Sequence, residues 1–100
     1  MSNYVYILYS KKLGSLYRGQ TNDLKDRLLR HNGNRVSSTK NGSPWILIWT
    51  TKKANRSEAV KLETKLKNLG YIRLIEFMLK YKDEITSPDE LNLLIQLSGC

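Results

Sequence analysis

Five side chains that can carry out polar chemistry stand out in this sequence, and four of them lie within its first 31 residues. Two are tyrosines, and the others are an arginine, a histidine and a glutamate. An imidazole transfers protons near neutral pH, a guanidinium binds anionic oxygens, and a carboxylate can bind a divalent cation. Such a set is suited to a negatively charged substrate. The five residues are Tyr6, Tyr17, Arg27, His31 and Glu63.

The two tyrosines are predicted to lie on neighbouring strands of a hairpin. Residues 3–10 mix aromatic and β-branched side chains, which predicts a strand buried on both faces. A turn follows in which Gly14 is free to adopt positive φ, and residues 15–20 form the return strand. In an antiparallel pair that closes on this turn, Tyr6 faces the neighbourhood of Tyr17. Both phenols can therefore leave the same face of the sheet.

A short helix after the hairpin is predicted to carry the arginine and the histidine. Asn22 is the expected N-cap, the helix runs to about Asn32, and Gly33 is a natural stop. Arg27 and His31 are four residues apart, so they lie one above the other on the helix. We expect both side chains to reach across the groove between helix and sheet.

The glutamate is predicted to lie on a second helix, which starts at Asn55 or Ser57 and runs to about Leu69. Apolar residues at helical spacing define the buried face of this helix. Glu63 borders that face instead of the solvent side. Glu58 lies at the helix start, where interaction with free N–H groups is its simplest role. The apolar residues are Ala59, Leu62, Leu66 and Leu69.

Each of the five residues also has a plain structural interpretation. The tyrosines can be core residues with satisfied hydroxyls, and Arg27 can pair with Asp23. His31 can act as a cation near the helix C-terminus. Glu63 can form an exposed ion pair with Lys67, worth only about 0.3–0.5 kcal/mol. These alternatives remain open at the level of sequence.

The rest of the chain supplies a loop, a strand and further helices. Residues 32–44 are a polar loop, and residues 45–51 are a third strand with Trp45 and Trp49 on one face as core residues. Residues 71–82 are predicted to form a third helix with its apolar residues largely inward. A capping box with proline at the first helical position opens a last short helix. The apolar residues of the third helix are Ile72, Ile75, Phe77, Met78 and Leu79.

The charge distribution indicates a polyanionic partner. The formal net charge is +8, but all 17 Lys and Arg and only five of the nine acids lie in residues 1–82, which gives that part +12. Residues 83–100 carry −4. A small body with this charge favours nucleic acid, because phosphate neutralisation releases counterions. The loop 32–44 is either a connector or a phosphate-contacting loop. The cations expected to contact nucleic acid are Arg18, Arg30, Arg35 and Lys40.

The sequence gives no sign of a membrane protein or a disulfide framework. Its longest apolar runs are far shorter than the roughly 20 residues that span a bilayer. The N-terminus lacks the features of a signal peptide. Cys100 is the only cysteine, so no internal disulfide and no cysteine metal cluster is expected. We therefore expect a cytoplasmic protein.

The order and spacing of the candidate residues resemble the GIY-YIG nuclease superfamily, and in particular its small, stand-alone bacterial members. The resemblance covers roughly residues 3–82, and LYRGQTNDLKDRLLRHN is its most specific stretch, followed by STKNGSPW and RSEAVKLE. Tyr4 stands where the motif has Gly, and Arg18 stands where it has Ile. The residues that carry the resemblance are Tyr4-Val5-Tyr6, Tyr17-Arg18-Gly19, Arg27, His31 and Glu63.

The resemblance implies a metal-dependent endonuclease that cleaves DNA to 5′-phosphate and 3′-hydroxyl ends. Glu63 would hold one divalent ion, Mg²⁺ or Mn²⁺, with Glu58 as the alternative ligand. Arg27 would neutralise charge on the phosphoryl oxygens. Tyr6 would take a proton from the attacking water, directly or through His31, while Tyr17 would position water and phosphate. The alternative is a non-catalytic nucleic-acid-binding module with the same fold and basic face.

We therefore expect an α/β (α+β) fold with a small three-stranded antiparallel sheet flanked by helices. Residues 1–82 would form the nuclease-like domain, and residues 83–100 an acidic C-terminal extension with a short amphipathic helix. The apolar side chains of Glu90–Leu97 need a partner surface. They would support either self-association or docking within the chain.

Overall fold

The computed structural model describes residues 2–33 and 35–99. Asn34, which belongs to the predicted loop, and the terminal residues Met1 and Cys100 lie outside the described residues. One three-stranded antiparallel sheet in the order β2-β1-β3 has helices on both faces, which confirms the predicted fold class. The strands are β1 Asn3–Ser10, β2 Ser15–Thr21 and β3 Trp45–Lys53. The helices are α1 Leu24–Asn32, α2 Arg56–Lys67, α3 Tyr71–Lys80 and α4 Pro88–Leu97, with a short 3₁₀ turn at Lys82–Glu84.

The β1–β2 hairpin places the two tyrosines as predicted. Gly14 closes the turn with a φ of 65°, a conformation that favours glycine. Tyr6 lies opposite Gly19, and Leu8 lies opposite Tyr17. Tyr6 and Tyr17 are therefore diagonal neighbours on one face of the sheet, and their ring centroids are 6.4 Å apart.

A bulge in β3 overturns the prediction that the two tryptophans share a face. The pairing of β1 with β3 shifts between Ile7 and Leu8, where β3 contains Ile48 as one extra residue. An extra residue reverses the alternation of side chains along a strand. Trp45 therefore packs with the small cluster beneath α1, whereas Trp49 belongs to the main core on the other face. Both tryptophans are buried, as expected for core residues.

The sheet separates two apolar clusters of unequal size. The smaller cluster lies on the α1 face and is built around Tyr6, Leu8 and Trp45, with Leu24 and Leu28 of α1 packed against it. The main core lies on the opposite face, beneath α2, α3 and α4. The smaller cluster is thus the one that carries polar aromatic groups. The buried residues of the main core are Val5, Ile7, Tyr9, Ile48, Trp49, Ala59, Leu66, Leu74, Ile75, Met78 and Leu94.

Two predicted details of the helices are wrong. Asp23, not Asn22, caps α1, because its side chain accepts a hydrogen bond from the Asp26 amide at 3.0 Å. Ile72 of α3 is 56% exposed instead of inward. At about 100° per residue, Ile72 points away from the face that α3 buries through Leu74 and its helical neighbours. The Asn55 cap of α2 is confirmed.

The acidic C-terminal segment packs onto the same core as the rest of the chain. Ser87 caps α4, with Pro88 at its first position, as the capping box predicts. Leu94 is fully buried in the main core, and the Thr86 amide donates to the Ile48 carbonyl at 3.2 Å. The helix therefore docks within the chain through apolar contacts, while the domain division at residue 82 remains a prediction.

Replacement of Leu94 by alanine is expected to lower the free energy of unfolding by about 2–5 kcal/mol, because it opens a cavity in the main core. Urea unfolding followed by circular dichroism measures this change. Ile95→Ala is the matched control, since that side chain lies on the same helix and is 42% exposed. Equal losses in the two variants would contradict the docking of α4 on the core.

Candidate active site

A buried hydrogen bond joins two of the predicted site residues. His31 lies in the last turn of α1 and is fully buried, and its Nε2 lies 2.9 Å from the Tyr6 hydroxyl. The Tyr17 ring packs edge-on against the imidazole with a centroid distance of 4.9 Å. The structure thus brings both phenols and the imidazole together on the α1 face of the sheet.

The loop after α1 fixes the orientation of the imidazole. The Thr39 hydroxyl lies 2.8 Å from His31 Nδ1 and donates to the Val36 carbonyl at 3.3 Å. We assign Thr39 as the acceptor from Nδ1–H, because the one hydroxyl proton of Thr39 is directed to the Val36 carbonyl. Nε2 then carries the lone pair and accepts the proton of Tyr6. Trp45 holds the loop in turn, because its indole N–H donates to the Thr39 carbonyl at 2.8 Å.

Arg27 supplies a positive charge beside this pair. It lies one turn before His31 on α1 and is half-buried. Among residues 2–33 and 35–99 it forms no ion pair with Asp23 or any other carboxylate, so the interpretation of Arg27 as a structural ion pair is not borne out. Its charge acts on both Tyr6 and His31.

The environment keeps the phenol and the imidazole neutral. Burial raises the pKa of Tyr6 above its ordinary value of 10.0, and Tyr17 adds to this rise while Arg27 opposes it. Burial also lowers the pKa of His31 below 6.5, and the charge of Arg27 lowers it further. At neutral pH, His31 is therefore an uncharged proton acceptor hydrogen-bonded to a protonated phenol.

The glutamate of α2 lies near enough to act on the same group. The negative charge of Glu63 contributes to raising the pKa of Tyr6. Its side chain pairs with Lys67 of the next turn at 3.5 Å, so the ion pair considered from the sequence exists. Glu63 itself is only 17% exposed, so the pair is less exposed than that interpretation assumed. Lys67 is 57% exposed, and such a flexible ammonium can move aside. Glu58, the alternative ligand, is exposed at the N-terminal end of α2.

The donor set fits a magnesium ion held by one carboxylate. Within residues 2–33 and 35–99, no three His, Cys, Asp or Glu side chains are grouped so that they could hold a metal. In the described part of the chain, a metal ion at this site would therefore have Glu63 as its lone protein ligand. Mg²⁺ accepts such a site because it keeps several waters and takes further ligands from substrate phosphates.

The four cations expected to contact nucleic acid lie in different settings. Arg18 lies on the main-core face of β2, where its Nη2 donates to the Leu69 carbonyl at 2.7 Å and burial lowers its pKa. Arg30 forms an exposed ion pair with Asp26 at 2.9 Å. Arg18 thus has a structural partner away from the phenols. The other two cations, Arg35 and Lys40, are exposed on the loop after α1.

Gly19 leaves the space that the Tyr6 phenol occupies. A Cβ atom built on Gly19 would lie 2.9 Å from Cε1 of Tyr6, and closer still to its Cζ and hydroxyl. Carbon atoms normally approach no nearer than about 3.5 Å. The phenol therefore lies across β2 only because residue 19 has no side chain. The sequence motif marked this glycine without showing its role.

Stability is expected to fall as the pH decreases below 6.5. His31 has a lower pKa in the folded chain than in the unfolded chain, so its contribution is present above 6.5 and is lost as the pH falls toward the folded value. Urea unfolding across this range measures how the free energy of unfolding changes with pH in wild type and in His31→Gln. The variant should lack the part of this pH dependence that His31 contributes. An equally steep slope in the variant would assign the effect to carboxylates.

Comparison with known proteins identifies the class of protein that this fold and site define. The family model of the GIY-YIG catalytic domain matches residues 2–70, the segment that contains all five candidate residues. The chain belongs to the GIY-YIG family, which confirms the resemblance seen in the sequence. Members of this family are nucleases that act on DNA and generally use divalent metal ions.

The chain is similar to small bacterial proteins designated UPF0213. A UPF0213 protein of Oceanobacillus iheyensis is 38% identical over 79 residues, which is 75% of this chain and 91% of that protein. One from Staphylococcus saprophyticus is 36% identical over 69 residues, 68% of this chain and 83% of that protein. The solution NMR structure of a UPF0213 protein from Bacillus halodurans has a TM-score of 0.54 and 32% identity, and covers 90% of this chain and 92% of that chain.

Family membership supports a nuclease function in general. In the part of the chain that the structure describes, no helix has the length and apolar character needed to cross a membrane. The cytoplasmic location remains a prediction.

Proposed function

We propose that this protein is a divalent-metal-dependent endonuclease that hydrolyses DNA phosphodiester bonds to 5′-phosphate and 3′-hydroxyl ends. The observation that carries the proposal is the 2.9 Å hydrogen bond between Tyr6 and His31, with the charge of Arg27 acting on both groups. This arrangement provides the Tyr6 phenol with an acceptor for its proton. A phenol without such an acceptor is a poor base at pH 7, since its pKa lies near 10.

The proton route runs from water to Tyr6 and then to His31. As the water attacks phosphorus, its proton passes to the Tyr6 oxygen and the phenol proton passes to Nε2 of His31. Thr39 keeps Nδ1 protonated and Nε2 free. Direct deprotonation by Tyr6 alone is the less favourable choice, because burial disfavours its charged form.

Arg27 and Tyr17 act on the phosphate. The guanidinium of Arg27 stabilises the charge that develops on the phosphoryl oxygens in the transition state. Tyr17 is half-buried beside both Tyr6 and His31, so its hydroxyl can orient the water and the phosphate. The exposed cations Arg35 and Lys40 would contact flanking backbone, and Arg30 would do so after releasing Asp26.

Glu63 would hold the metal ion. When bound, a divalent ion polarises the scissile phosphoryl group and stabilises the leaving 3′-oxygen. Lys67 must then give up its contact with this carboxylate, and its exposure allows that.

A cleavage assay with labelled DNA tests the proposal. Wild type is incubated with single-stranded, duplex and branched DNA in Mg²⁺ or Mn²⁺ and in EDTA. Arg27→Ala and Glu63→Ala should each reduce the rate by about 10²–10³. Lys25→Ala on α1 and Glu76→Ala on α3 are matched controls for loss of one exposed charge. Cleavage by both site variants at the wild-type rate would reject catalysis by this site.

The Glu63–Lys67 ion pair favours a second candidate, a non-catalytic nucleic-acid-binding module. A carboxylate already paired at 3.5 Å is not a vacant metal ligand. Binding of DNA without metal-dependent cleavage, on every substrate of the assay, would support this alternative.

A further inference from the structure

A polar pocket of about 190 Å³ opens where β1 begins and β2 ends, between α1 and the start of α2. Its lining combines two guanidinium groups with three carboxamides and a hydroxyl, and no carboxylate is among them. Arg27, already placed beside Tyr6, forms part of its wall. The lining residues are Asn3, Gln20, Thr21, Asn22, Arg27 and Arg56.

The hydrogen-bonding groups of this pocket are largely unused within the protein. Thr21 is engaged, because its hydroxyl interacts with Asp23. In the described residues, the side chains of Gln20, Asn22 and Arg56 make no hydrogen bond or ion pair to other protein groups. The two guanidinium groups carry positive charge, and they contain hydrogen-bond donors but no acceptor atom. Such a pocket fits an anion with several oxygens, and phosphate is the obvious chemical class.

Two helices, α1 and α2, contribute residues both to this pocket and to the candidate active site. Arg27 borders both the pocket and the Tyr6–His31 pair. Arg56 and Glu63 are seven residues apart on α2, so they share a face and are separated by about 10 Å along the helix axis. Phosphates of one strand in duplex DNA follow at about 3.4 Å of axis per nucleotide. A phosphate near the scissile one is therefore within reach of Arg56.

We propose that this pocket binds a second backbone phosphate of the cleaved DNA strand, with Arg56 as the residue that holds it. The identity of the neighbouring phosphate as the cleaved one depends on the proposed function. Binding of a phosphate in the pocket does not depend on it. Two fixed phosphates would set the direction of the strand across Tyr6 and Arg27, so one role of the pocket is to position the substrate.

Binding measured in EDTA tests the pocket separately from catalysis. Full-length wild type, Arg56→Gln and Lys61→Gln are titrated with a fluorescent oligothymidine. Arg56→Gln should weaken binding about tenfold, as expected for loss of a charge-assisted hydrogen bond. It should also reduce the salt dependence by about 0.7, the slope for one single-strand phosphate contact. Lys61 is exposed on the same helix and outside the pocket, so Lys61→Gln should change affinity less than twofold.

A set of oligonucleotides with one neutral methylphosphonate each locates the contact. At one position the methylphosphonate should abolish the effect of Arg56→Gln, because the mutation and the modification then remove the same interaction. With Mg²⁺ supplied, cleavage should occur at a different phosphate nearby. Equal effects of Arg56→Gln and Lys61→Gln, or no coupled position, would overturn the proposal. A coupled position without any cleavage would uphold the pocket and reject the nuclease function.

Discussion

Replacement of Tyr6 by phenylalanine is expected to slow DNA cleavage by about 10²–10⁴-fold, the usual contribution of a positioned acid or base. The variant keeps the ring that packs with Leu8 and Trp45. It removes the oxygen that lies 2.9 Å from His31 Nε2. The proton of the attacking water can then no longer pass through the Tyr6 hydroxyl to the imidazole. Single-turnover cleavage of the preferred DNA with Mg²⁺ measures the effect.

Tyr9→Phe is the matched control for this substitution. Tyr9 lies on the same strand but is buried in the main core on the opposite face, so its variant should cleave at the wild-type rate. Tyr6→Phe also leaves Nε2 of His31 without its partner, at a cost of about 1–3 kcal/mol. Both variants are therefore assayed where thermal melts show them folded. Wild-type cleavage by Tyr6→Phe would place the proton acceptor elsewhere.

The hairpin was predictable because its determinants are local. A glycine in the turn fixes the register of the two strands, and the register decides which side chains are diagonal neighbours. The proximity of Tyr6 and Tyr17 follows directly from this register. Arg27 and His31 reach the same groove because helical spacing places them on one face. Strand register and helical spacing, both read from the sequence, therefore predict that these four residues lie close together.

The bulge at Ile48 could not be predicted from the sequence. A continuous run of apolar residues shows no alternation of polar and apolar side chains from which the face of each side chain could be read. One extra residue therefore changes the face of Trp45 relative to Trp49 without changing the pattern. Trp45 instead serves the site, since its indole N–H holds the loop that orients His31.

Thr39, Arg18 and Arg56 show how long-range contacts escape sequence analysis. Thr39 is nearly fully buried although it lies in a polar loop, and only the folded loop places it against His31. Nothing in the sequence separates Arg18 from the other cations that were expected to contact nucleic acid. The alternation of side chains along β2 nevertheless places it on the main-core face of the sheet. Arg56 at the start of α2 gave no signal of its own. The role proposed for it depends on the pocket that lies between the start of α2 and the end of the sheet.

Replacement of Gly19 by alanine is expected to reduce cleavage as strongly as loss of the Tyr6 hydroxyl, and to lower the free energy of unfolding by about 1–3 kcal/mol. The added Cβ would occupy the position of the Tyr6 phenol. The ring must then swing away, which breaks its hydrogen bond to His31. Urea unfolding and single-turnover cleavage measure the two effects. Gly70→Ala is the control, since Gly70 has a φ of −70° and open space around its Cβ position.

The double variant Gly19→Ala/Tyr6→Phe separates displacement of the phenol from general damage to the fold. If Gly19 acts by leaving room for Tyr6, the double variant should cleave no more slowly than either single variant, because the hydroxyl is already out of place in both. Two effects that multiply would show that Gly19→Ala disturbs Arg27 or Glu63 independently of the phenol. Gly19→Ala cleavage at the wild-type rate would mean that the phenol can act from another position, and the Tyr6–His31 hydrogen bond would no longer explain the chemistry.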